Sequence, residues 1–466
     1  TSDPEGRFSS EQAAAYQVTA GTRQGDPGAD GRQLATFGIG AAIAVDAATA
    51  RSDIQLRRYA DPGPLGAAGL RPRGFVGLAA TGPTGLSATN MASSDVVARA
   101  QGALDGAALS GSGAALSGAR LATVTLGTEL LSPDDVAADA TVSSVSRANA
   151  GAGTETAQTF GLSFAGSEQN FEATVALRQF RTAAGVDLTD PDRARIGQPE
   201  AVSLAADVTG TMAVDAVSGV VDDADPEFAG NGALTLNDGT FGARIAADTA
   251  APSAIRAQTV DLAARSGGRL RASAGQTGAD GSSRGVGLSG AVLDTTTDSD
   301  VDVAGLSITS GAPLAVDSSV TTRLDATAVN GDRAGARDVG VNFAGGRTQG
   351  LARIGLGGAD TTGAQIVAPA ISLTAKMTAE HSAESNAVAP ADASGGSTAP
   401  PEVLTAGFAG FLGAPEARVV LDGAQLDGSD RDVAVSAEAL PQSSIVANGV
   451  SDAGLDAPET DVPDSH

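Results

Sequence analysis

One feature constrains this chain more than any other: stretches that alternate apolar residues with small or polar ones recur along it. A clear copy reads DVAVSAEA, in which Val433, Val435 and Ala437 fall on one face of an extended chain. Period-two alternation is typical of a half-buried β-strand. Related copies lie roughly 55 to 65 residues apart, near positions 136, 202, 260, 314 and 371. The chain is therefore predicted to be a repeat protein built from strands.

Two further strand patterns precede each copy. The nearer one alternates apolar residues, as in Ile354 and Leu356, which follow Ala352. The more distant one is rich in Gly, and its copies read FGIGAAIAV, GAALSGARL, FGLSFAG, NGALTLNDG, GVGLSGAVL, VGVNFAGG and GFAGFLG. Strands copied in a constant order and joined by Gly-, Asp- and Pro-rich turns are typical of the coils of a β-solenoid.

We therefore predict an all-β fold, a β-solenoid (β-helix) of about seven degenerate coils with three short strands per coil and variable inserted loops. Residues 1–33 are predicted to form the trailing strand and loop of a partial coil, and residues 448–466 an acidic C-terminal loop or tail. The continuous solenoid, residues 34–447, divides into modules at 34–106, 107–156, 157–228, 229–283, 284–336, 337–402 and 403–447. The alternative, a chain of β-sandwich domains, predicts bulky cores and Greek-key spacing.

The composition predicts a narrow interior. The chain has 61 Gly and no Trp, and aromatic residues make up 3% of it, although hydrophobic residues make up 42%. Such hydrophobic content disfavours disorder, and Ala fits where converging sheets would overpack Leu. The sequence does not encode the handedness of the coil.

The charge and the residue inventory exclude several classes of partner. A net charge of −26 argues against nucleic acid and anionic membranes. Cys is absent, so thiolate chemistry is excluded. No apolar run reaches about 18 residues, which argues against membrane insertion as a helix. Because the chain begins with Thr1, we expect a segment of a longer precursor.

Histidine, the usual marker of a catalytic or zinc site, occurs twice. We expect His381 to be a solvated residue at the start of the longest loop, which begins at Glu380, and His466 to be a terminal residue. Two His without Cys do not make a zinc site, and no nucleophile elbow is present. We predict no catalytic, cofactor-binding or metal-binding residues, and no enzyme.

Carboxylates crowd four segments that we expect to be solvated acidic turns. Calcium held between such loops is an open hypothesis, because hard cations prefer oxygen ligands. No other cofactor is expected. The four groups are Asp187, Asp190 and Asp192; Asp222, Asp223, Asp225 and Glu227; Asp294, Asp298, Asp300 and Asp302; and Asp427, Asp430 and Asp432.

Two further functions known for β-helices find little support. Polysaccharide lyases and epimerases need a basic catalytic residue and an aromatic-lined groove. Here the only Tyr residues are Tyr16 and Tyr59, and the candidate Arg residues are scattered, as in Arg178, Arg181, Arg193 and Arg195. Ice binding requires Thr ladders, and the runs at 295–297 and 321–322 are not repeated.

Phe residues recur in the Gly-rich strand pattern. We expect them to pack in the core, whereas a column facing outward would mark a surface for lateral association. These residues are Phe37, Phe160, Phe164, Phe343, Phe408 and Phe411.

Strands of one type, GVGLSGAVLDTTTDSDVDV, alternate along the chain with strands of a second type, AQTVDLAAR or PAISLTAKM. In this alternation the sequence resembles the giant secreted or surface β-solenoid proteins of bacteria, which are the filamentous-haemagglutinin-like adhesins and filament proteins. The likeness runs from about Phe37 to Ala447. It implies an extracellular or cell-surface role, structural or adhesive, and carries no catalytic residues.

Both ends of the chain stop at a similar phase of the repeat, and unpaired strand edges template association. We therefore expect the partner to be the chain itself, in a head-to-tail homopolymer, or the flanking coils of a longer solenoid. The expected function is a non-enzymatic extracellular filament subunit or surface stalk. The alternative is an adhesin module that binds glycan or cell surface through inserted loops, and a minor alternative is a lyase- or epimerase-like β-helix.

Overall fold

The computed structural model describes the chain over a set of ranges in which every regular element is a β-strand. These ranges are residues 7–21, 37–44, 50–56, 59–60, 86–102, 109–131, 135–152, 160–182, 200–220, 229–248, 250, 252–278, 285–330, 339–357, 364–388 and 404–450.

The strands belong to two series that alternate along the chain. The first series comprises β2 (Phe37–Ala44), β3 (Ala50–Leu56), β4 (Tyr59–Ala60), β6 (Leu109–Leu131), β8 (Phe160–Thr182), β10 (Ala229–Ala247), β13 (Gly285–Asp302), β16 (Val339–Leu356) and β18 (Leu404–Leu421). The second comprises β1 (Arg7–Gly21), β5 (Leu86–Gly102), β7 (Val136–Ala152), β9 (Ala201–Val220), β12 (Thr259–Gly278), β15 (Leu314–Asn330), β17 (Gln365–Val388) and β19 (Gln425–Val450). Two short strands, β11 (Ser253–Ala257) and β14 (Leu306–Ser310), follow β10 and β13.

Within each series, successive long strands pair in parallel, and the short strands β2, β3 and β4 all pair with β6. For example, β12 pairs with β9 on one side and β15 on the other, so that Leu204, Leu262 and Val316 stack in one column. The short strand β11 pairs with β14, and β14 pairs with the first residues of β17. The protein is thus all-β with parallel strand pairing, compatible with a β-solenoid.

The prediction of three short strands per coil is not confirmed. The Gly-rich pattern and the pattern that follows it lie in one long strand, as in β16, which contains both VGVNFAGG and Ile354. The Gly- and Asp-rich gap before the next long strand includes a corner and a short paired segment such as β14. At the C-terminal end, β19 extends to Val450, beyond the predicted boundary at residue 447.

The two series face each other across an interior lined by small residues. In β9 the inward positions Val202, Leu204 and Ala206 are all buried, and Ser203 and Ala205 between them are half-buried. This is the alternation that the sequence predicts. Apolar burial along such columns supplies the main stabilisation of the stack.

The largest interior side chains stack along one column of the first series. The rings of Phe171 and Phe241 are stacked at 4.9 Å, and the guanidinium of Arg120 lies 5.4 Å from the centre of the Phe171 ring. Burial lowers the pKa of Arg120 to about 10. Across the interior, Gly210 and Gly268 make room for Phe241, since a Cβ there would lie 2.2 and 2.8 Å from the ring.

Polar side chains also cross the interior and bind carbonyl oxygens of the opposite series. Asn237 in β10 donates to Met212 O (3.2 Å) and Arg271 O (3.1 Å). In the same way, Ser289 in β13 donates to Val329 O at 3.0 Å. These bonds satisfy buried donors and fix the register between the series.

Three described corners that follow long first-series strands contain a glycine in the left-handed region. Gly305, Gly357 and Gly423 have φ values of 73°, 96° and 63°, and Gln179 in β8 has a φ of 54°. Glycine adopts this region without the steric cost of a Cβ. At Gly357 a Cβ would in addition lie 1.6 Å from Asp422 O in the next corner, so the stacked corners leave no room for a side chain.

The packing of Phe241 against glycine predicts the effect of two neighbouring substitutions. Gly268→Ala should lower the free energy of unfolding by about 1–3 kcal/mol, because the added methyl group overlaps the ring. Gly267→Ala should leave it unchanged or raise it by up to about 1 kcal/mol, because strand glycine is entropically costly. A Cβ at Gly267 would meet only carbonyl oxygens at 3.6 and 3.8 Å. Urea unfolding of both variants checks this, and equal effects would contradict the packing.

Candidate functional site

His381, predicted to be solvated at the start of a loop, is instead buried within β17. It is 6% exposed, and its ring stacks on Phe411 at 5.1 Å between centroids. It occupies an inward column, where Leu324 precedes it in β15 and Ser443 follows it in β19. The prediction was wrong because β17 continues to Val388, well past Glu380. His466 lies outside the described residues.

The imidazole of His381 has an environment that favours the neutral ring. Its Nε2 is buried and has no hydrogen-bond partner in the structure. Burial lowers the pKa of His381, because the cation would lose its hydration. The described contact of the ring is its stacking on Phe411.

The carboxylate groups that the structure describes do not form a cation site. The groups at 187–192 and 222–227 lie outside the described residues. Asp294, Asp298, Asp300 and Asp302 lie on the outward side of strand β13, not in a loop. Asp427, Asp430 and Asp432 belong to β19. Across the described ranges no group of three or more His, Cys, Asp or Glu residues is arranged to hold a metal ion.

Arginine offsets part of the acidic charge on β13. Asp300 lies 3.8 Å from Arg244 of the preceding strand and 3.5 Å from Arg353 of the following one. Asp302 contacts the same two guanidinium groups at 4.0 and 3.9 Å. Even so, burial raises the pKa of Asp300, and these arginines only partly counter it. The four side chains form an ion-pair ladder along the stack.

A second acidic column is less well compensated. Glu168, Asp238 and Asp294 are in register on β8, β10 and β13, and Arg347 follows on β16. The pKa of Asp238 is raised, mainly by burial and then by repulsion from Asp294 and Glu168. This column, which we call the acidic column, marks one flank of the surface described next.

Three of the six Phe residues that were expected in the core lie on the outside. Phe164, Phe343 and Phe408 are 42%, 44% and 58% exposed, and Phe411 is partly buried. Phe343 is paired directly with Phe408. The side chains of Phe37 and Phe160 lie outside the described ones. Core packing is therefore wrong for three of the six, and the column faces outward.

The C-terminal end of the stack leaves inward apolar side chains uncovered. Val433 and Val435 are 44% and 48% exposed, whereas Ile371 and Leu373, directly below them in β17, are at most 1% exposed. No described strand pairs with the far side of β19. This surface, formed by β18 and β19, is called the open end.

The direction of backbone donors is regular in this fold. Inward-facing residues donate their N–H to the following strand or corner: Val303 donates to Gly355 O (2.9 Å) and Ser253 to Gly305 O (3.2 Å). Outward-facing residues donate backward, as Thr259 does to Glu200 O (2.9 Å). An inward-facing residue of β18 or β19 therefore directs its backbone N–H toward the open end.

Two of these inward positions hold proline. Pro415 in β18 is in register with Gly350, and Pro441 in β19 is in register with Ala379. Proline has no N–H, so the open end lacks a donor at both positions. A further strand proline in the described chain, Pro369, lies where the register of β17 shifts. Proline at a sheet edge disfavours the addition of another strand.

Comparison of the chain with family models, curated proteins and solved structures finds no match. We also find no helix of membrane-crossing length and hydrophobicity among the described residues.

A shallow cleft beside the open end is lined mainly by apolar side chains. It has a volume of about 380 Å³ and lies where Leu314, Ile371 and Val433 stack. Asp432 is the one titratable residue among those lining it. The cleft is the terminal gap in an apolar column, which again places the notable surface at the open end.

The environment of His381 predicts a pH effect on stability. Because the folded-state pKa is lowered, the unfolded chain binds the proton first on acidification, and stability falls as the pH drops through about 6.5. His381→Leu, which copies Leu324 of the same column, should remove this component. Between pH 7.5 and 5.5 the wild type should lose more of its free energy of unfolding than the variant.

Thermal or urea unfolding at both pH values measures this difference. His466→Gln is the matched control, since it removes the other histidine of the chain, and it should titrate like the wild type. An identical pH dependence in all three proteins would refute the assignment.

Proposed function

We propose that the chain is a structural segment of a β-solenoid of about seven coils that associates end to end. In this proposal one coil is a first-series strand, a short corner strand and the following second-series strand. The in-register pairing of each strand with the next of its series supports it. A coil of this kind falls within a predicted module in the case of β6 and β7, which lie in residues 107–156, whereas the last coil extends past residue 447 to Val450.

The open end is the observation that carries the proposal. The apolar columns of the second series continue through five or more strands and then stop, uncovered, at Val433 and Val435. A following coil, from a second copy or from a longer chain, would bury them as Ile371 and Leu373 are buried. Burial of one such side chain contributes about 1.5–3 kcal/mol.

The role that follows is mechanical and non-enzymatic: a filament subunit or surface stalk. Two His and no Cys offer few of the groups that catalysis uses. The proposed location, outside the cell or at a bacterial surface, is supported by the resemblance to filamentous-haemagglutinin-like proteins.

A second candidate is an adhesin module that contacts glycan or a cell surface through an inserted segment. Strand β17 ends at Val388 and β18 begins at Leu404, so residues 389–403 connect two well-paired strands. Deletion of residues 390–402 would therefore spare β17, including His381. Lost surface binding by intact particles would favour the adhesin, and lost assembly would place the segment in the polymer joint.

End-to-end association predicts opposite results for two double variants of β19. Val433→Asp with Val435→Asp places carboxylates on the inward columns, where an incoming coil would bury them at a cost of several kcal/mol. Ala434→Asp with Ser436→Asp adds the same charge on the outward side of the same strand. The first pair should abolish fibres and reduce the association constant more than 100-fold, and the second should retain both within about threefold.

Sedimentation velocity and negative-stain microscopy at raised salt measure the outcome. Equal loss in both pairs would show general charge repulsion, and fibres from the first pair would exclude stacking through the open end.

The prolines predict that the backbone contribution to stacking can be increased. Pro415→Ala with Pro441→Ala restores two donors directed at the open end, each worth about 0.5–1.5 kcal/mol when bonded. The critical concentration for assembly should fall about 5- to 100-fold. Gln442→Ala, at an adjacent outward position of β19, is the control and should leave it unchanged. An unaltered critical concentration in the double variant would contradict this role of the prolines.

A further inference from the structure

A second surface lies on the outward side of the first series and meets the open end only at Phe408 of β18. Large apolar side chains from neighbouring strands form it, with exposures from 40% to 58%. We call this surface the apolar strip, and it comprises Leu162, Phe164, Leu234, Leu236, Val286, Leu288, Phe343 and Phe408.

Glycines make the apolar strip flat. A Cβ at Gly232 would lie 2.9 Å from Leu162, its partner in register, and a Cβ at Gly290 would lie 2.8 Å from Leu234. Each leucine therefore lies down over the glycine of the next strand. Glycine weakens a strand and commonly marks a close approach of other groups. The result is a smooth sheet face without polar side chains among its eight members.

The area of the strip matches that of an interface. Half-exposed large side chains present on the order of 100 Å² each, so that the eight together present about 800 Å². This is about the area that one partner contributes to a stable protein–protein interface. It also exceeds the few hundred Å² that a monomer usually leaves exposed.

Charge on one flank limits how the strip can be covered. The acidic column of Glu168, Asp238 and Asp294 begins one outward position beyond Leu236. An anionic lipid surface would be repelled by it. For a second copy, a two-fold axis along the strands would place the two acidic columns face to face. An axis along the stack would place them on opposite flanks.

We infer that the apolar strip binds a second copy of this chain, face to face, about a two-fold axis parallel to the stack. The contact is isologous and closes as a dimer, with the sheets roughly 10 Å apart. It pairs two stacks side by side in the same direction, and it does not use the inward columns that end at Val433 and Val435.

The test uses the Val433→Asp, Val435→Asp background, so that end-to-end stacking and lateral pairing are measured separately. Leu234→Asp with Leu288→Asp disrupts the strip on β10 and β13. Thr240→Asp with Thr296→Asp adds the same charge to the outward side of the same two strands and is the control.

Sedimentation equilibrium should show a monomer–dimer system at micromolar concentration in the background protein. The strip variant should raise the dissociation constant at least 100-fold, and the control should change it less than about threefold. A background protein that is monomeric at 100-fold higher concentration overturns the inference. Equal effects in strip variant and control also overturn it, as does a strip that binds detergent, lipid vesicles or glycan without dimerising.

Cross-linking tests the direction of the axis. The chain has no Cys, so Leu234→Cys and Phe408→Cys can be made singly. Both positions lie in one column, three strands and roughly 14 Å apart. With the axis along the stack, both variants should form covalent homodimers with a bismaleimide of about 10 Å reach. With the axis along the strands, at most one would do so, and the proposed arrangement would be wrong.

Discussion

In-register parallel pairing is the constraint on which the rest of this structure depends. Each residue lies about 4.8 Å from the residue at the same position of the next strand in its series. Leu204 therefore has Leu262 as its closest partner, 58 positions away by number but adjacent in the stack. The side chains that a residue packs against are therefore set more by its neighbours in the column than by its neighbours in the sequence.

Packing along the columns explains why glycine is abundant within the strands as well as in the turns. A large side chain in a column needs space from its neighbours, because parallel strands keep a constant spacing. Inside, Gly210 and Gly268 provide that space for Phe241 across the interior. Outside, Gly232 provides it for Leu162 of the adjacent strand. Glycine thus lets bulky residues enter a stack whose average side chain is small.

The sequence predicted the all-β class and the inward faces correctly, because period-two alternation, as in Val202, Leu204 and Ala206, depends only on local pattern. It misplaced strand boundaries, since the corner at Gly357 resembles an ordinary turn. It also misplaced Phe343, because a strand pattern shows two faces without saying which one is covered. It misplaced His381 because β17 continues past Glu380. A signal was available in the columns, where Phe343 aligns with Phe408 outside and His381 with Leu324 inside.

Two physical interactions can drive association at the open end: backbone hydrogen bonds to an added strand, and burial of the apolar columns. Unpaired strand edges usually recruit other strands through backbone hydrogen bonds, with little selectivity. Here the columns that end at Val433 and Val435 favour a following coil, but Pro415 and Pro441 remove donors from that same edge. A partner that matches the apolar columns retains most of its binding energy, whereas a partner that relies on the backbone ladder loses more. In the proposed stacking, this edge would therefore favour a matching coil over an arbitrary strand.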